Sequence, residues 1–329
     1  MLDIIIPTYK DPEGLRRTLK SVYYPEQADW ITITVVDDCS PIKYNDIEKE
    51  FPTIKFHHLP ENHGPGYARQ YGMDHTSEPY IIFVDCGDIL YYNFALMAIK
   101  SLIEAHPDYY LFQWAWIQES GRVSTQTARS TQGWVYSRKL FDLYPIRFCI
   151  DELGGRADED VGFNHACTTV IKHMETADNT QYSAYCEMPI YKKIRNEESI
   201  TNTGHYHFEK HIPGLIINAK FCMHQLEKMN LSLDILIEEL NVLFFNIYEA
   251  FIDCAKREDQ YTQRNWRYIR EFYLDVYKKY ENEPLNEKHI TQCTSRFMER
   301  LQRKTNHINI RRFIRELNDC EEYPSHYKE

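Results

Sequence analysis

The sequence contains no apolar run that approaches the length of a membrane helix, which is about 20 residues. Its N-terminus, MLDIIIPTYK, has no basic segment before the apolar residues, so a signal peptide is not expected. The nine cysteines form no Cys-x-x-Cys pair, a pattern typical of buried thiols in a reducing compartment. These absences predict a cytoplasmic protein without a transmembrane segment.

The composition is that of a folded protein. Of 329 residues, 43% are hydrophobic, 14% aromatic and 26% charged, and no repeat or low-complexity tract is present. Residues 1–210 carry most of the net charge of −11, because they hold 20 basic and 30 acidic side chains. Such a segment would repel a polyanion, except where basic groups or a bound cation intervene.

The first half of the sequence alternates strand-like and helix-like segments. Short apolar or β-branched runs are followed by segments whose apolar residues recur at helical spacing. The segments of this alternation are the predicted strands 2–6, 31–36, 54–59 and 80–84 and the predicted helices 12–24 and 65–76. This order predicts an α/β fold with a mostly parallel sheet covered by helices.

The rest of the sequence becomes progressively helical. A mixed middle section contains the predicted helices 94–106, 137–144 and 159–174 and the predicted strands 109–117 and 185–194. From about residue 208 onward, long helical patterns dominate; one of them places Leu240, Phe244, Ile247 and Phe251 on a single face. We therefore predict an α/β domain over residues 1–210 and an all-α region over residues 211–329.

Polar residues follow three of the predicted strands. These are Thr-Tyr at 8–9, Asp-Asp at 37–38 and Asp-Cys-Gly-Asp at 85–88. Asp and Gly are common in turns, so each of these sequences has a purely structural explanation. However, the carboxyl ends of parallel strands meet at one edge of a sheet, where α/β proteins bind ligands. Because ionised carboxylates are costly to bury without partners, their recurrence at this edge favours a ligand or metal site.

Six segments together resemble glycosyltransferase family 2, which has the GT-A fold. They are IIIPTYK, VVDDCS, NHGPGYARQYGMD, FVDCGDIL, GGRADEDVGF and YKKIRNEESIT, and they occur in the family's order over roughly residues 1–205. The resemblance implies a Rossmann-like sheet and a nucleotide-sugar donor, most commonly a UDP-sugar. It also implies a divalent cation, Mn²⁺ or Mg²⁺, and transfer with inversion.

The resemblance also assigns the residues around the donor. They are Pro7, Thr8, Tyr9, Asp37, Asp38, Gly64, Arg69, Asp85, Arg195 and Ser199. Tyr9 would provide a stacking surface for the base, and Asp38 would accept a hydrogen bond from it. Arg69 would point from a helix start towards ribose or phosphate, where the helix N-terminus also favours anions. The structural alternatives are a strand-ending turn for the aspartates and a solvated surface position for Arg69.

The sequence departs from the family at the predicted metal site. The family commonly has Asp-x-Asp-Asp where this chain has Asp85-Cys86-Gly87-Asp88, so Gly87 removes one carboxylate. By position, Asp88 would be the metal ligand, and Asp85 would meet ribose or a metal-bound water. Magnesium needs only one or two protein carboxylates when phosphates and waters complete its shell.

The resemblance places the catalytic base on Asp160, with Glu159 beside it. Inverting transfer needs a carboxylate that takes the proton of the attacking hydroxyl, and a cluster of acids raises the pKa values of its members. The structural alternative is a helix start with acidic residues, which is common. Trp134 would lie on the acceptor side and stack on a sugar ring, although a core position explains it equally well.

The predicted function is transfer of a hexose or N-acetylhexosamine to a glycan or another hydroxyl-bearing acceptor. Two alternatives remain open. The missing carboxylate at Gly87 would also fit a catalytically inert member that binds a nucleotide-sugar or a partner. Seven basic residues within 294–315 would fit an enzyme that acts on modified nucleic acid, although a solvated helix face explains them more simply.

Overall fold

The computed structural model describes residues 1–24, 29–124, 130–150, 154–194, 206–257, 260–301, 310–324 and 327. The chain forms two compact units, Met1–Asn202 and Thr203–Glu329. The first unit is an α/β layer structure, and the second consists of helices.

Nine strands of the described residues form one sheet in the first unit. They are β1 (Leu2–Thr8), β2 (Ile31–Asp37), β3 (Lys55–His58), β4 (Tyr80–Phe83), β5 (Ile89–Leu90), β6 (Leu111–Gln118), β7 (Val123–Ser124), β8 (Trp134–Ser137) and β9 (Ser183–Lys193). Their spatial order is β3-β2-β1-β4-β8-β6-β9-β5, and β7 pairs with β6. The strands predicted at 2–6, 31–36, 54–59, 80–84, 109–117 and 185–194 are confirmed.

The sheet is mixed. β3, β2, β1 and β4 run parallel, as the alternating segments predict. Beyond β4 the sheet changes direction, because β8 is antiparallel to both β4 and β6, and β5 is antiparallel to β9. The parallel register places Thr8 of β1 beside Asp37 of β2, so the ends of these strands meet at one edge of the sheet.

Helices cover both faces of this sheet. They are α1 (Pro12–Val22), α2 (Asn45–Glu50), α3 (Pro65–Asp74), α4 (Tyr92–Ala105), α5 (Arg138–Leu143) and α6 (Glu159–Asp178). Successive side chains of a strand point to opposite faces, and β1 shows this clearly. Ile4 and Ile6 pack in one apolar cluster with residues of α1 and α4. On the other face, Gly72 of α3 lies so close to Ile5 that an added Cβ would be 2.4 Å from Ile5 Cγ2.

The second unit contains α7 (Tyr206–Glu227), α8 (Leu233–Lys256), α9 (Thr262–Asp275), α10 (Pro284–Leu301) and α11 (Ile310–Asp319). The predicted apolar face of α8 is buried, including Phe244 and Phe251. Both rings pack near Phe313 of α11, and Trp266 of α9 joins the same cluster. No helix in the described ranges combines the length and apolar character needed to cross a membrane.

Candidate active site

The end of β1 contributes one buried and one exposed residue to the shared edge of the sheet. Thr8, which follows Pro7, is buried and donates a hydrogen bond to Cys86 Sγ (3.3 Å) in the turn after β4. Tyr9 is 43% exposed, and the Lys10 ammonium lies 4.6 Å from the centre of its ring. The structure therefore leaves the Tyr9 ring accessible at the edge where a base is predicted to stack.

Asp38 holds the loop that precedes α3. Its carboxylate accepts hydrogen bonds from Asn62 Nδ2 (2.8 Å), His63 N (2.8 Å) and Gly64 N (2.7 Å). Burial raises the pKa of Asp38, and the two backbone donors partly offset that effect. Its neighbour Asp37 accepts from Ser40 N and contacts a His58 ring nitrogen, each at 3.0 Å. Both aspartates thus organise loops at this edge.

Two glycines allow the start of α3 to approach the start of α6. Gly64 has φ of +96°, which favours glycine, and a Cβ there would be 2.4 Å from Gly155 O. Gly66 N donates to the same carbonyl at 2.9 Å, and a Cβ on Gly66 would lie 2.9 Å from Glu159 Cβ. The glycine-rich segment therefore brings α3 against the acidic first turn of α6.

This close approach places Arg69 between two carboxylates. Its Nη2 donates to Asp85 Oδ1 at 2.7 Å, and its Nη1 pairs with Glu159. Only 5% of the Arg69 side chain is exposed, and its Nε has no partner in the described part of the chain. Although burial disfavours its charge, the carboxylates of Asp85 and Glu159 raise the pKa of Arg69. The structure thus places Arg69 inside an internal ion-pair network.

Both carboxylate oxygens of Asp85 accept hydrogen bonds. Oδ1 accepts from Arg69, and Oδ2 accepts from Gln132 Nε2 at 2.6 Å. Burial alone would raise the pKa of Asp85, but the charges of Arg69 and Lys193 lower it below its usual value. About a quarter of the side chain is exposed (27%), so the carboxylate is ionised and accessible from one side.

Asp88 is more deeply buried than Asp85. Its Oδ2 accepts from Tyr191 OH and its Oδ1 from Ile194 N, each at 2.8 Å. Burial, with the nearby charge of Asp85, raises the pKa of Asp88 to about 7. Thr18 Oγ1 donates to Asp88 O at 2.7 Å. Asp88 therefore ties the turn after β4 to β9 and to α1.

The two aspartates do not form a ready-made cation site. All four of their carboxylate oxygens already accept a hydrogen bond from a protein donor. Within the ranges that the structure describes, no three His, Cys, Asp or Glu side chains are grouped so that they could hold a metal ion. A cation bound here would share the carboxylates of Asp85 and Asp88 with these donors, and it would need further oxygen ligands from phosphates and waters.

Asp160 differs from every other carboxylate of the site. It lies in the first turn of α6 and is partly exposed, and its side chain has no hydrogen-bond partner among the described residues. Burial raises its pKa well above the usual value, and the charges of Glu159, Asp158 and Asp85 add to this effect. Its neighbour Glu159 is buried against Arg69. Of the two predicted acids, Asp160 is the one free to accept a proton.

Gln132 joins the strand-end turn to α6, a role for which the sequence carried no signal. Its amide nitrogen binds Asp85, while its Oε1 has no partner among the described residues. Two residues earlier, Ser130 O accepts from Asn164, which lies one helical turn after Asp160. The segment 130–132 therefore connects the Asp85 turn to the side of α6 on which Asp160 lies.

Three predicted site residues remain, and the structure describes one of them, Trp134. Trp134 is buried and stacks on Tyr136 with ring centres 6.4 Å apart. Its indole N–H has no partner among the described residues. Arg195 and Ser199 lie outside the described residues.

The basic stretch of the second unit is partly neutralised. Arg311 pairs with Glu287, and Arg312 pairs with Glu316 at 2.7 Å. Arg315, one turn further along α11, is exposed. The pairs reduce the excess positive charge that a nucleic-acid surface would need.

Comparisons with known proteins agree with this architecture. The family described as Glycosyl transferase family 2 matches residues 3–161. A fragment of S. aureus TarS (1–349) in complex with UDP has a TM-score of 0.63 at 15% identity, covering 94% of this chain and 93% of that chain. The same fragment in complex with UDP-GlcNAc has a TM-score of 0.57 at 17% identity, with the same coverage.

A longer S. aureus TarS chain matches with a TM-score of 0.59 at 19% identity. The match covers 84% of this chain and 49% of that one, so this chain spans about half of its length. No curated protein matches the sequence significantly. At these identities the structural likeness establishes the GT-A fold, and the family match covers most of the α/β unit. Residues 3–161, which make up most of the N-terminal unit, are therefore similar to glycosyl transferase family 2.

Proposed function

We propose that this protein transfers a hexose or N-acetylhexosamine from a nucleotide-sugar, most simply a UDP-sugar, to an acceptor hydroxyl. The observation that carries the proposal is Asp160, a partly exposed residue whose carboxylate has a raised pKa and no hydrogen-bond partner among the described residues. It is linked through Glu159, Arg69 and Asp85 to the sheet edge at which α/β proteins bind ligands.

Asp160 acts as the general base. It takes the proton of the acceptor hydroxyl while the oxygen attacks the anomeric carbon, and the bond from that carbon to the diphosphate oxygen breaks. The nucleoside diphosphate leaves with the electron pair, and a single displacement inverts the anomeric centre. The raised pKa of Asp160 suits this role, because a base works best when its pKa is near the working pH.

The internal ion pairs position this base. Arg69 neutralises Glu159 beside Asp160 and also holds Asp85 at the end of β4. In the absence of that guanidinium, two neighbouring ionised acids would raise the pKa of Asp160 further and repel one another. Arg69 therefore acts through other residues, as a positioning residue.

The donor lies at the ends of β1 and β2 in this proposal. Tyr9 is exposed there and offers a ring on which a base can stack, and Asp37 and Asp38 fix the surrounding loops. TarS of S. aureus binds UDP and UDP-GlcNAc on the same fold, which supports a uridine nucleotide as donor. Arg195 and Ser199 remain predicted contacts of the diphosphate, and Trp134 remains a predicted acceptor-side residue.

The divalent cation stays a prediction. Asp88 and Asp85 would be its protein ligands, as Mn²⁺ or Mg²⁺ prefers oxygen ligands. The two carboxylates alone do not make a preformed metal site, because no third His, Cys, Asp or Glu side chain joins them within the described residues.

Mass spectrometry tests the proposal. The full chain is incubated with a panel of nucleotide-sugars and candidate acceptors, which include glycans and hydroxymethylated DNA, in buffers with and without Mn²⁺. We expect an acceptor that gains the mass of one sugar, and the product identifies the acceptor class. Donor binding without transfer or hydrolysis under every condition would instead identify a catalytically inert member of the family.

A further inference from the structure

Gly87 stands at the third position of the turn after β4, where the family commonly has a carboxylate. Its φ is +100°, and an added Cβ would meet the Nη2 atom of Arg17 at 3.2 Å and Asp11 Oδ2 at 3.8 Å. Arg17 Nε donates to Gly87 O at 2.8 Å, so the guanidinium is attached to this turn. The turn that carries Asp85 and Asp88 thus has the Arg17 guanidinium nearest to its third residue, and the Asp11 carboxylate lies slightly further away.

The guanidinium of Arg17 is held at one edge and open at the other. Its Nε bond to Gly87 is the one hydrogen bond that it makes to a described residue, and its two Nη groups have no partner there. The nearby carboxylate of Asp11 is oriented by the α1 backbone, because its Oδ1 accepts from Gly14 N at 2.7 Å. Arg17 is exposed, so its open edge is available to a ligand.

The neighbouring arginine is a natural contrast. Arg16 lies on the same helix and pairs with Glu50 at 2.7 Å and with Glu13 at 2.8 Å. Its charge is therefore already compensated on the protein surface. At the ligand edge, Arg69 is buried between two carboxylates and is likewise engaged. Arg17 is thus the arginine near the turn whose Nη groups have no hydrogen-bond partner among the described residues, with the carboxylate of Asp11 nearby.

We propose that Arg17 binds the diphosphate of the donor and supplies positive charge that allows it to bind without a divalent cation. This inference rests on the proposed function, which places a nucleoside diphosphate at this edge of the sheet. A guanidinium presents two parallel N–H donors that match phosphate oxygens, and it carries its charge at every physiological pH. Fixing the Nε edge on Gly87 O orients the remaining donors before the ligand arrives.

Calorimetry with UDP, in EDTA and in Mn²⁺, tests this assignment. Wild-type protein should bind UDP in EDTA, and Arg17→Gln should weaken that binding about tenfold or more, the usual effect of losing a charged hydrogen bond. Arg16→Gln removes the same charge from the same helix and should leave UDP affinity unchanged. Uridine has no phosphate, so its binding should be equal in all three proteins.

A second variant does not remove the arginine. Gly87→Asp places a carboxylate beside the guanidinium, so it should weaken UDP binding in EDTA, and adding Arg17→Gln to it should cost little more. The assignment is wrong if Arg17→Gln binds UDP as the wild type does, if Arg16→Gln loses as much affinity, or if wild-type protein binds UDP only with Mn²⁺. Wild-type protein that binds no nucleoside diphosphate in either buffer would overturn the proposed function itself.

Discussion

Replacing Arg69 with leucine should destabilise the N-terminal unit more than any surface charge change. The guanidinium is 5% exposed and its partner Glu159 is 8% exposed, so the substitution leaves the buried carboxylate of Glu159 without its cation. Removing one partner of a buried ion pair costs about 3–5 kcal/mol. Because Asp85 is 27% exposed and partly solvated, we expect the lower end of that range, about 3 kcal/mol at pH 8.

The loss of stability in Arg69→Leu should depend on pH, and the direction of that dependence follows from the pKa shifts of the two carboxyl groups. Burial already raises the pKa of Glu159, and Arg69 opposes that effect; the same guanidinium lowers the pKa of Asp85. In Arg69→Leu both folded pKa values rise, so the folded state binds protons more readily than the unfolded state. The stability of the variant therefore increases as the pH falls from 8 to 5, and its difference from the wild type shrinks.

Urea unfolding followed by tryptophan fluorescence measures this effect, since the first unit holds four of the five tryptophans. Arg147→Leu is the control: Arg147 pairs with Asp74 at 2.6 Å, but both side chains are about half exposed. It should change the free energy of unfolding by less than about 1 kcal/mol at either pH. A loss below about 1 kcal/mol for Arg69→Leu, or one equal at pH 5 and pH 8, would refute the reasoning.

Three further substitutions test separate parts of the site. Asp160→Asn should lower turnover at least about a hundredfold and leave nucleotide affinity unchanged in calorimetry, and a fully active variant would remove the base assignment. Because the pKa of Asp160 is raised, wild-type turnover should decline with falling pH well above pH 4, and a rate that is flat from pH 8 to pH 5 would contradict this. Asp38→Ala should cost about 1–3 kcal/mol of stability in urea unfolding, because the loop amides that it accepts from lose their partner. An unchanged urea transition would show that the loop is stable without the hydrogen bonds that Asp38 accepts. Gly66→Ala should destabilise by about 1–3 kcal/mol, since its Cβ would displace Glu159, and normal stability would show that α6 can shift.

The parallel half of the fold could be predicted from the sequence, because its strands are apolar runs with a clear alternation. The carboxyl ends at 8–9, 37–38 and 85–88 do meet at one edge, as parallel pairing requires. The short strands β5, β7 and β8 could not be predicted, since two to four residues carry too little periodicity. Their antiparallel pairings make the sheet mixed.

The roles within the site were harder to predict than its location. The donor-side role of Arg69 stays a prediction, and the sequence did not predict its pair with Glu159, which lies 90 positions away in the chain and meets Arg69 only in the folded structure. The sequence pattern does not predict the hydrogen bonds between Asp38 and the loop amides either. Gln132 carried no signal, because a single glutamine in a loop resembles any other. Asp160 was predicted because its type and spacing match a family motif.

Release of nucleoside diphosphate from UDP-sugars tests the central claim most directly. The wild type and Asp160→Asn are compared in Mn²⁺ and in EDTA, with UDP binding measured for both proteins. Both proteins should bind UDP, the wild type should release it from at least one UDP-sugar when an acceptor is present, and Asp160→Asn should release at least about a hundredfold less. Equal release by the two proteins, or a wild type that binds no nucleotide at all, would contradict the central claim.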